Sequence, residues 1–124
     1  MKRGALLAFL LVLTLILIAF LYYNLSSPLA MYPAEAKQLL KEGKFDAVVD
    51  VRSDAEWNMG RFPLAIHIPV NKLAQELPQR IPDKNSKILF YCNTSTRARV
   101  AAEEAQRMGY ANIRYLVGTH KNIM

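Results

Sequence analysis

Residues 4–23, GALLAFLLVLTLILIAFLYY, are 20 positions with 18 hydrophobic side chains and no charge. As a helix rising about 1.5 Å per residue, the run is about 30 Å long, the thickness of a bilayer's hydrocarbon core. No face of it is polar, so it does not suit an amphipathic helix on a globular core. Lys2 and Arg3 precede it and Tyr22–Tyr23 close it, as a basic flank and an aromatic rim do for a membrane span. The expectation is one transmembrane signal-anchor helix over 4–23. Residues 1–3 are then cytoplasmic, and the rest of the chain lies on the extracytoplasmic, periplasmic side. A cleaved secretory signal is the alternative. Its apolar region is typically about 7–15 residues long. A cut after Ala30 would put Pro28 at the third position before the cut, a poor cleavage site.

Removing that run changes the meaning of the composition. The 124 residues are 52% hydrophobic with a formal net charge of +6. Residues 31–124 hold 43 hydrophobic residues in 94, with 14 basic side chains against 10 acidic ones, which is ordinary for a single soluble domain. Such a segment is too apolar to stay disordered. It also carries no basic–aromatic patch, so nucleic acid is not an expected partner. With Cys92 as the one cysteine, an internal disulfide and a cysteine-cluster zinc site are both excluded. His67 and His120 are 53 positions apart and do not resemble a metal-ligand pair, so no metal or organic cofactor is implied.

Residues 24–28 read as a polar linker into a domain over 29–124. Short strands are expected at Leu29–Tyr32, Phe45–Val51, Ala65–Ile68, Lys87–Tyr91 (ending at Cys92) and Ile113–Leu116. Between them, a helix starts at Pro33 and stops at Gly43, and Asp54–Asn58 makes a single turn. Asn71–Pro78 forms a short amphipathic helix on Leu73, Ala74 and Leu77. A last helix lines Ala98, Ala101, Ala102, Ala105 and Met108 along one narrow face and ends at Gly109. Arg99–Glu103 and Glu103–Arg107 are i,i+4 pairs on its wet side. Strands alternating with helices predict an α/β domain whose parallel sheet is covered on both faces.

The chemically informative stretch is a strand, then Cys92-Asn93-Thr94-Ser95-Thr96-Arg97, then a helix. Ligands of parallel α/β sheets bind at the carboxyl ends of strands, where this spacing puts Cys92. A short strand-to-helix loop can turn its backbone N–H groups inward as an anion nest, and the positive end of the helix points at the same spot. Such surroundings favour the thiolate, the nucleophilic form of cysteine. Thr94, Ser95 and Thr96 add hydroxyls and Arg97 a fixed positive charge. The plainer alternative is that Cys92 is a small buried hydrophobe at a strand end.

Two motifs resemble those of the rhodanese-like sulfurtransferases, and the resemblance extends over residues 29–124. One is Asp50-Val51-Arg52-Ser53-Asp54-Ala55-Glu56-Trp57 with Gly60-Arg61-Phe62-Pro63-Leu64-Ala65-Ile66-His67-Ile68-Pro69. It is similar to the family's DVR-x-x-x-E-(Y/W)-x-x-G-H-I-P-G-A-x-x-I-P signature. The other is the Cys92 loop with Arg97 at its sixth position. The resemblance implies a three-layer fold, a five-stranded parallel sheet flanked by helices, preceded here by the transmembrane helix. It implies that Cys92 takes the outer sulfur of thiosulfate or a similar small anion as a persulfide and passes it to a thiol, a protein acceptor or cyanide. In that scheme Asn93, Thr94, Ser95, Thr96 and Arg97 bind the donor, while Asp50, Arg52 and Glu56 are a structural charge network.

This chain departs from the family pattern at several positions. Ser95 stands where glycine is frequent, and a side chain there narrows the mouth if the loop needs an unusual backbone angle. Ala98 stands where serine is frequent, and Arg61-Phe62-Pro63-Leu64 replaces His-Ile-Pro-Gly. The tail, Gly118 to Met124, lacks the usual second glycine and closing tryptophan. His67 is expected to be a packed or surface residue rather than a catalytic one. Two other functions compete. One is a non-catalytic or sulfur-carrier interaction module at the membrane. The other is a phosphatase of the related cell-cycle type, whose longer loop would place its arginine where Ala98 stands.

Overall fold

The computed structural model describes residues 2–25 and 27–124, so Met1 and Ser26, the latter within the expected linker, lie outside it. Helix α1 runs Arg3–Leu25, and its stretch Arg3–Tyr23 has a mean hydropathy of 3.0 with nothing buried against the rest of the chain. Within it the Thr14 hydroxyl donates to the Leu10 carbonyl at 2.8 Å, which satisfies the run's one hydroxyl internally before the tyrosine pair. By length and composition α1 is a candidate membrane span, a test that a signal sequence also passes.

The remainder is a five-stranded, all-parallel sheet in the order β1-β5-β4-β2-β3. The strands are β1 Ala30–Met31, β2 Ala47–Asp50, β3 Ile66–His67, β4 Ile88–Cys92 and β5 Ile113–Thr119. Helices α2 Pro33–Lys41, α3 Asp54–Asn58, α4 Leu73–Arg80 and α5 Thr96–Arg107 connect them. Pro33 opens α2 with its ring in place of an N–H that would have no partner. Gly43, at φ 67°, closes it: its N–H reaches the Leu40 carbonyl, and that of Lys44 reaches Leu39. In α3, Ser53 and Glu56 form a reciprocal capping box.

Strand β4 occupies the centre and all five of its residues are buried. Alternation divides them. Ile88, Phe90 and Cys92 join Val49, Leu73, Leu77 and the alanines of α5 in one core. Leu89 and Tyr91 join Met31, Ala36, Val48, Leu116 and Ile123 in the other. Ala98, Ala101, Ala102 and Ala105 are fully buried, so α5 lies on the sheet through methyl groups alone.

Two elements run further than the sequence pattern indicates. Helix α4 continues past Pro78 to Arg80, after a 3-10 turn at Val70–Lys72. The missing N–H of Pro78 would have bonded the carbonyl of Ala74, and Ala74 lies on the exposed face of the helix, open to solvent. Strand β5 continues past Leu116 to Thr119 through an irregularity: Phe90 pairs with Tyr115, whereas Cys92 pairs with Thr119. Gly118, at φ 108°, makes that bend.

Candidate active site

Because β4 ends at Cys92 and α5 begins at Thr96, residues 92–97 turn at the carboxyl edge of the central strand. Cys92 is fully buried, and its Sγ accepts a hydrogen bond from the Ala98 N–H at 3.3 Å. That N–H belongs to the first turn of α5, where backbone donors have no partner within the helix. Ser95 is the one non-glycine residue with positive φ among the described residues, at φ 72°, ψ −31°. Its hydroxyl is turned toward β5, where Oγ accepts the Gly118 N–H at 2.7 Å. Thr94 and Thr96 are exposed on the loop.

Arg97 does not point a free charge into the loop. Its guanidinium grips Glu56 with two prongs, Nη1–Oε1 at 2.7 Å and Nη2–Oε2 at 2.9 Å. The Arg97 hydrogen bond, helped by the Ser53 N–H and hydroxyl and opposed by burial, pulls the Glu56 carboxyl down to about 2. Asn93 donates through Nδ2 to Glu56 Oε2, and its Oδ1 makes a long contact of 3.5 Å with Arg52 Nη1. Arg52 in turn is paired with Asp50 at 2.7 Å, the two being 4% and 0% exposed, and donates to the Gly60 carbonyl. Asp50, Arg52, Asn93, Glu56 and Arg97 therefore form one connected series from the end of β2 to the start of α5. Asp50, Arg52 and Glu56, read from sequence as structural, share this network with Asn93 and Arg97, two of the five residues read as donor-binding.

His67 is packed. Its ring stacks parallel to Trp57 with centroids 4.8 Å apart, and Nε2 lies 2.7 Å from the Arg52 carbonyl. On Trp57 also rests the Arg61 guanidinium, 4.1 Å from the ring centroid. Beside the Cys92 loop opens a cleft of about 640 Å³, among whose walls are Arg52, Glu56, Arg61, Asn93, His120 and Lys121. Sequence reasoning overlooked His120. It follows Thr119, the residue paired with Cys92, and is buried with its ring 5.5 Å from that of Tyr91. The sequence pattern ends the strand at Leu116 and leaves Gly118 to Met124 as a tail; no pattern in the sequence marks the turn that buries His120 and Ile123.

The sequence model of the rhodanese-like domain matches residues 32–123. The chain belongs to the rhodanese-like domain family. A tRNA uridine(34) hydroxylase of Erwinia tasmaniensis is 31% identical over 74 residues, 56% of this chain but only 21% of that protein. Among solved structures, a human single-domain sulfurtransferase superposes with a TM-score of 0.66 at 25% identity, over 77% of this chain and 95% of the human one. A single-domain sulfurtransferase of Saccharomyces cerevisiae gives 0.60 at 26% identity, over 79% and 89%. The rhodanese-like unit begins near β1, and α1 precedes it.

Proposed function

We propose that this protein is a sulfurtransferase of the thiosulfate type, with Cys92 carrying the transferred sulfur as a persulfide. The observation that carries the reading is Cys92 itself, held at the end of the central strand with its Sγ on an N–H of the first turn of α5, in a rhodanese-like domain. In the first step the Cys92 thiolate attacks the outer sulfur of thiosulfate. The sulfur–sulfur bond of the donor breaks, its electron pair leaves on sulfite, and the outer sulfur stays on Cys92 as a persulfide anion. In the second, an acceptor thiolate takes that sulfur and Cys92 leaves as thiolate.

A dianionic donor needs compensation at the loop. The N–H groups at the start of α5 supply part of it, as fixed dipoles that need not reorganise. Asn93 and the hydroxyls of Thr94 and Thr96 supply more, and Ser95 contributes its backbone while its hydroxyl holds β5. Arg97 borders the loop at one edge, its charge engaged and its plane fixed by Glu56. Asp50 and Arg52 hold the segment from which Glu56 reaches across. Residues 4–23 tether this domain, 29–124, through the linker 24–28 to a membrane, with the domain on the extracytoplasmic side; the hydropathy and basic flank of α1 support this. The tRNA hydroxylation named for the bacterial relatives belongs to much longer proteins, and the proposal rests on the shared domain alone.

Intact mass after incubation with thiosulfate tests the chemistry. Wild type gains about 32 Da, one sulfur atom, and Cys92→Ser gains nothing. Equal gain in both, or none in wild type, refutes it. The same spectrum reads the N-terminus: an anchor leaves residues 4–23 in the membrane-extracted protein, whereas a start near residues 27–31 refutes the tether.

A further inference from the structure

We propose that His120 is the base that takes the proton from the acceptor thiol in the second step, so that an acceptor arriving as S–H must reach the cleft beside it, whereas one arriving as thiolate does not need it. The inference deepens the sulfurtransferase reading and rests on it. His120 lines the 640 Å³ cleft next to Asn93, the residue after Cys92. The β4–β5 register sets Thr119 opposite Cys92, and His120 follows Thr119 at the start of the turn after β5, its ring packed on Tyr91. Its Nδ1 lies 3.4 Å from Thr119 Oγ1. Nε2 takes no hydrogen bond among the described residues, and it is not sealed off. With Nδ1–H donating to Thr119, the lone pair of Nε2 is left to receive a proton, the arrangement a base held by an orienting group requires.

The charges around the ring keep it neutral and ready. Burial is the main influence lowering its affinity for a proton, Arg52 and Lys121 add to it, and Asp50 opposes them. Tyr91, the titratable ring packed against it, stays protonated because burial raises its pKa, with hydrogen bonding to Asp50 adding to this. Glu56 lines the same cleft but is occupied by Arg97 and Asn93. A thiol of ordinary acidity, near pKa 8.5, is mostly protonated at neutral pH, so its attack needs such a base.

The step balances without an oxidant. Nε2 takes the proton of R–SH, and the thiolate sulfur bonds to the outer sulfur of the Cys92 persulfide. The bond from that sulfur to Sγ breaks and its electron pair stays on Cys92. The imidazolium then returns the proton to the transferred sulfur. Overall Cys92–S–S⁻ and R–SH become Cys92–S⁻ and R–S–SH.

The test uses full-length protein in detergent micelles, loaded with sulfur and then discharged, the loss of about 32 Da being followed by mass. Loading is done with thiosulfate and, in parallel, with inorganic polysulfide. Failure to load from thiosulfate alone therefore counts against the donor reading and leaves the His120 test intact. Two acceptors are compared at neutral pH: mercaptoethanol, which must lose a proton, and the thiolate of thionitrobenzoic acid, which has none to lose. His120→Gln is expected to slow discharge to mercaptoethanol by about 100-fold while changing discharge to the aryl thiolate less than about threefold. Equal slowing with both acceptors, or none with either, overturns the proposal. Wild type supplies a second reading that does not depend on the variant's folding. Its mercaptoethanol discharge, corrected for thiol ionisation, should rise through an imidazole ionisation below the ordinary histidine range that the aryl thiolate profile lacks. Profiles explained by thiol ionisation alone overturn it as well.

Discussion

Ser95 offers a test in which two small terms of opposite sign are separated by two substitutions. Its backbone sits at φ 72°, a conformation that costs a side-chain-bearing residue about 1–2 kcal/mol relative to glycine. Against this stands the 2.7 Å bond from the Gly118 N–H to Ser95 Oγ, with a net contribution of about 1 kcal/mol. Ser95→Ala keeps the strained backbone and loses the bond, so it should destabilise the domain by about 1 kcal/mol. Ser95→Gly loses the same bond and releases the strain, but adds about 0.5–1 kcal/mol of chain entropy to the unfolded state. The expected order is Ala least stable, with Gly above it by about 0.5–1 kcal/mol and close to wild type. Urea unfolding of the full chain in micelles measures this through the fluorescence of Trp57, the one tryptophan, which sits in the domain rather than in α1. A glycine variant less stable than the alanine variant would refute the strain, and an alanine variant equal to wild type would refute the bond. Persulfide loading should change less than about threefold in Ser95→Gly, because the hydroxyl faces β5 and not the donor.

Asp50→Asn leaves the nearly buried Arg52 without its counter-charge and should cost about 3–5 kcal/mol in urea unfolding, more than any other single change in the network. Glu56→Gln should cost about 1–2 kcal/mol near neutral pH, a figure discounted for the 28% exposure of the carboxylate. Glu56 has its folded pKa depressed from 4.5 to about 2, so its contribution is complete above about 4.5 and is lost as the pH falls toward 2. Unfolding curves of wild type and Glu56→Gln should accordingly converge over that interval, and a gap that stays constant refutes the assignment. Gly118→Ala places a Cβ 2.8 Å from Asn122 Oδ1 at φ 108°, and Asn122 Oδ1 already accepts the Thr119 N–H. A loss of about 1–3 kcal/mol is expected, together with slower discharge of the persulfide because the turn carrying His120 is displaced.

Much of this fold is legible because its elements are short and separately punctuated. Pro33 and Gly43 bracket α2, α3 is the single turn expected over Asp54–Asn58, and the alanine face of α5 matches its buried side residue for residue. What the sequence hides depends on contacts between distant segments. Arg97 and Glu56 are 41 positions apart, and nothing local says that the arginine's charge is spent on that carboxylate. The bend of β5 arises where Gly118 meets Ser95 across 23 positions, and it determines that His120 is buried rather than trailing. Pro78 misleads for the opposite reason, since the bond it removes would have been made on a wet face.

The two departures at the Cys92 loop have a common physical meaning. Ser95 replaces a residue free to take positive φ, and it keeps that φ while its hydroxyl braces Gly118. Ala98 carries no hydroxyl, yet its N–H is the group bonded to Cys92 Sγ, and its methyl is fully buried in the core beside Ala101 and Ala102. In both positions the backbone faces the sulfur site and the side chain faces the scaffold. A serine at 98 would bury a hydroxyl that needs a partner among methyl groups, at a cost of about 1–3 kcal/mol if none is found. Ala98→Ser therefore separates the two contributions. If the N–H alone serves the sulfur, the variant loses stability while loading of Cys92 per folded molecule is unchanged; a gain in loading rate would show that the site has room and use for the hydroxyl.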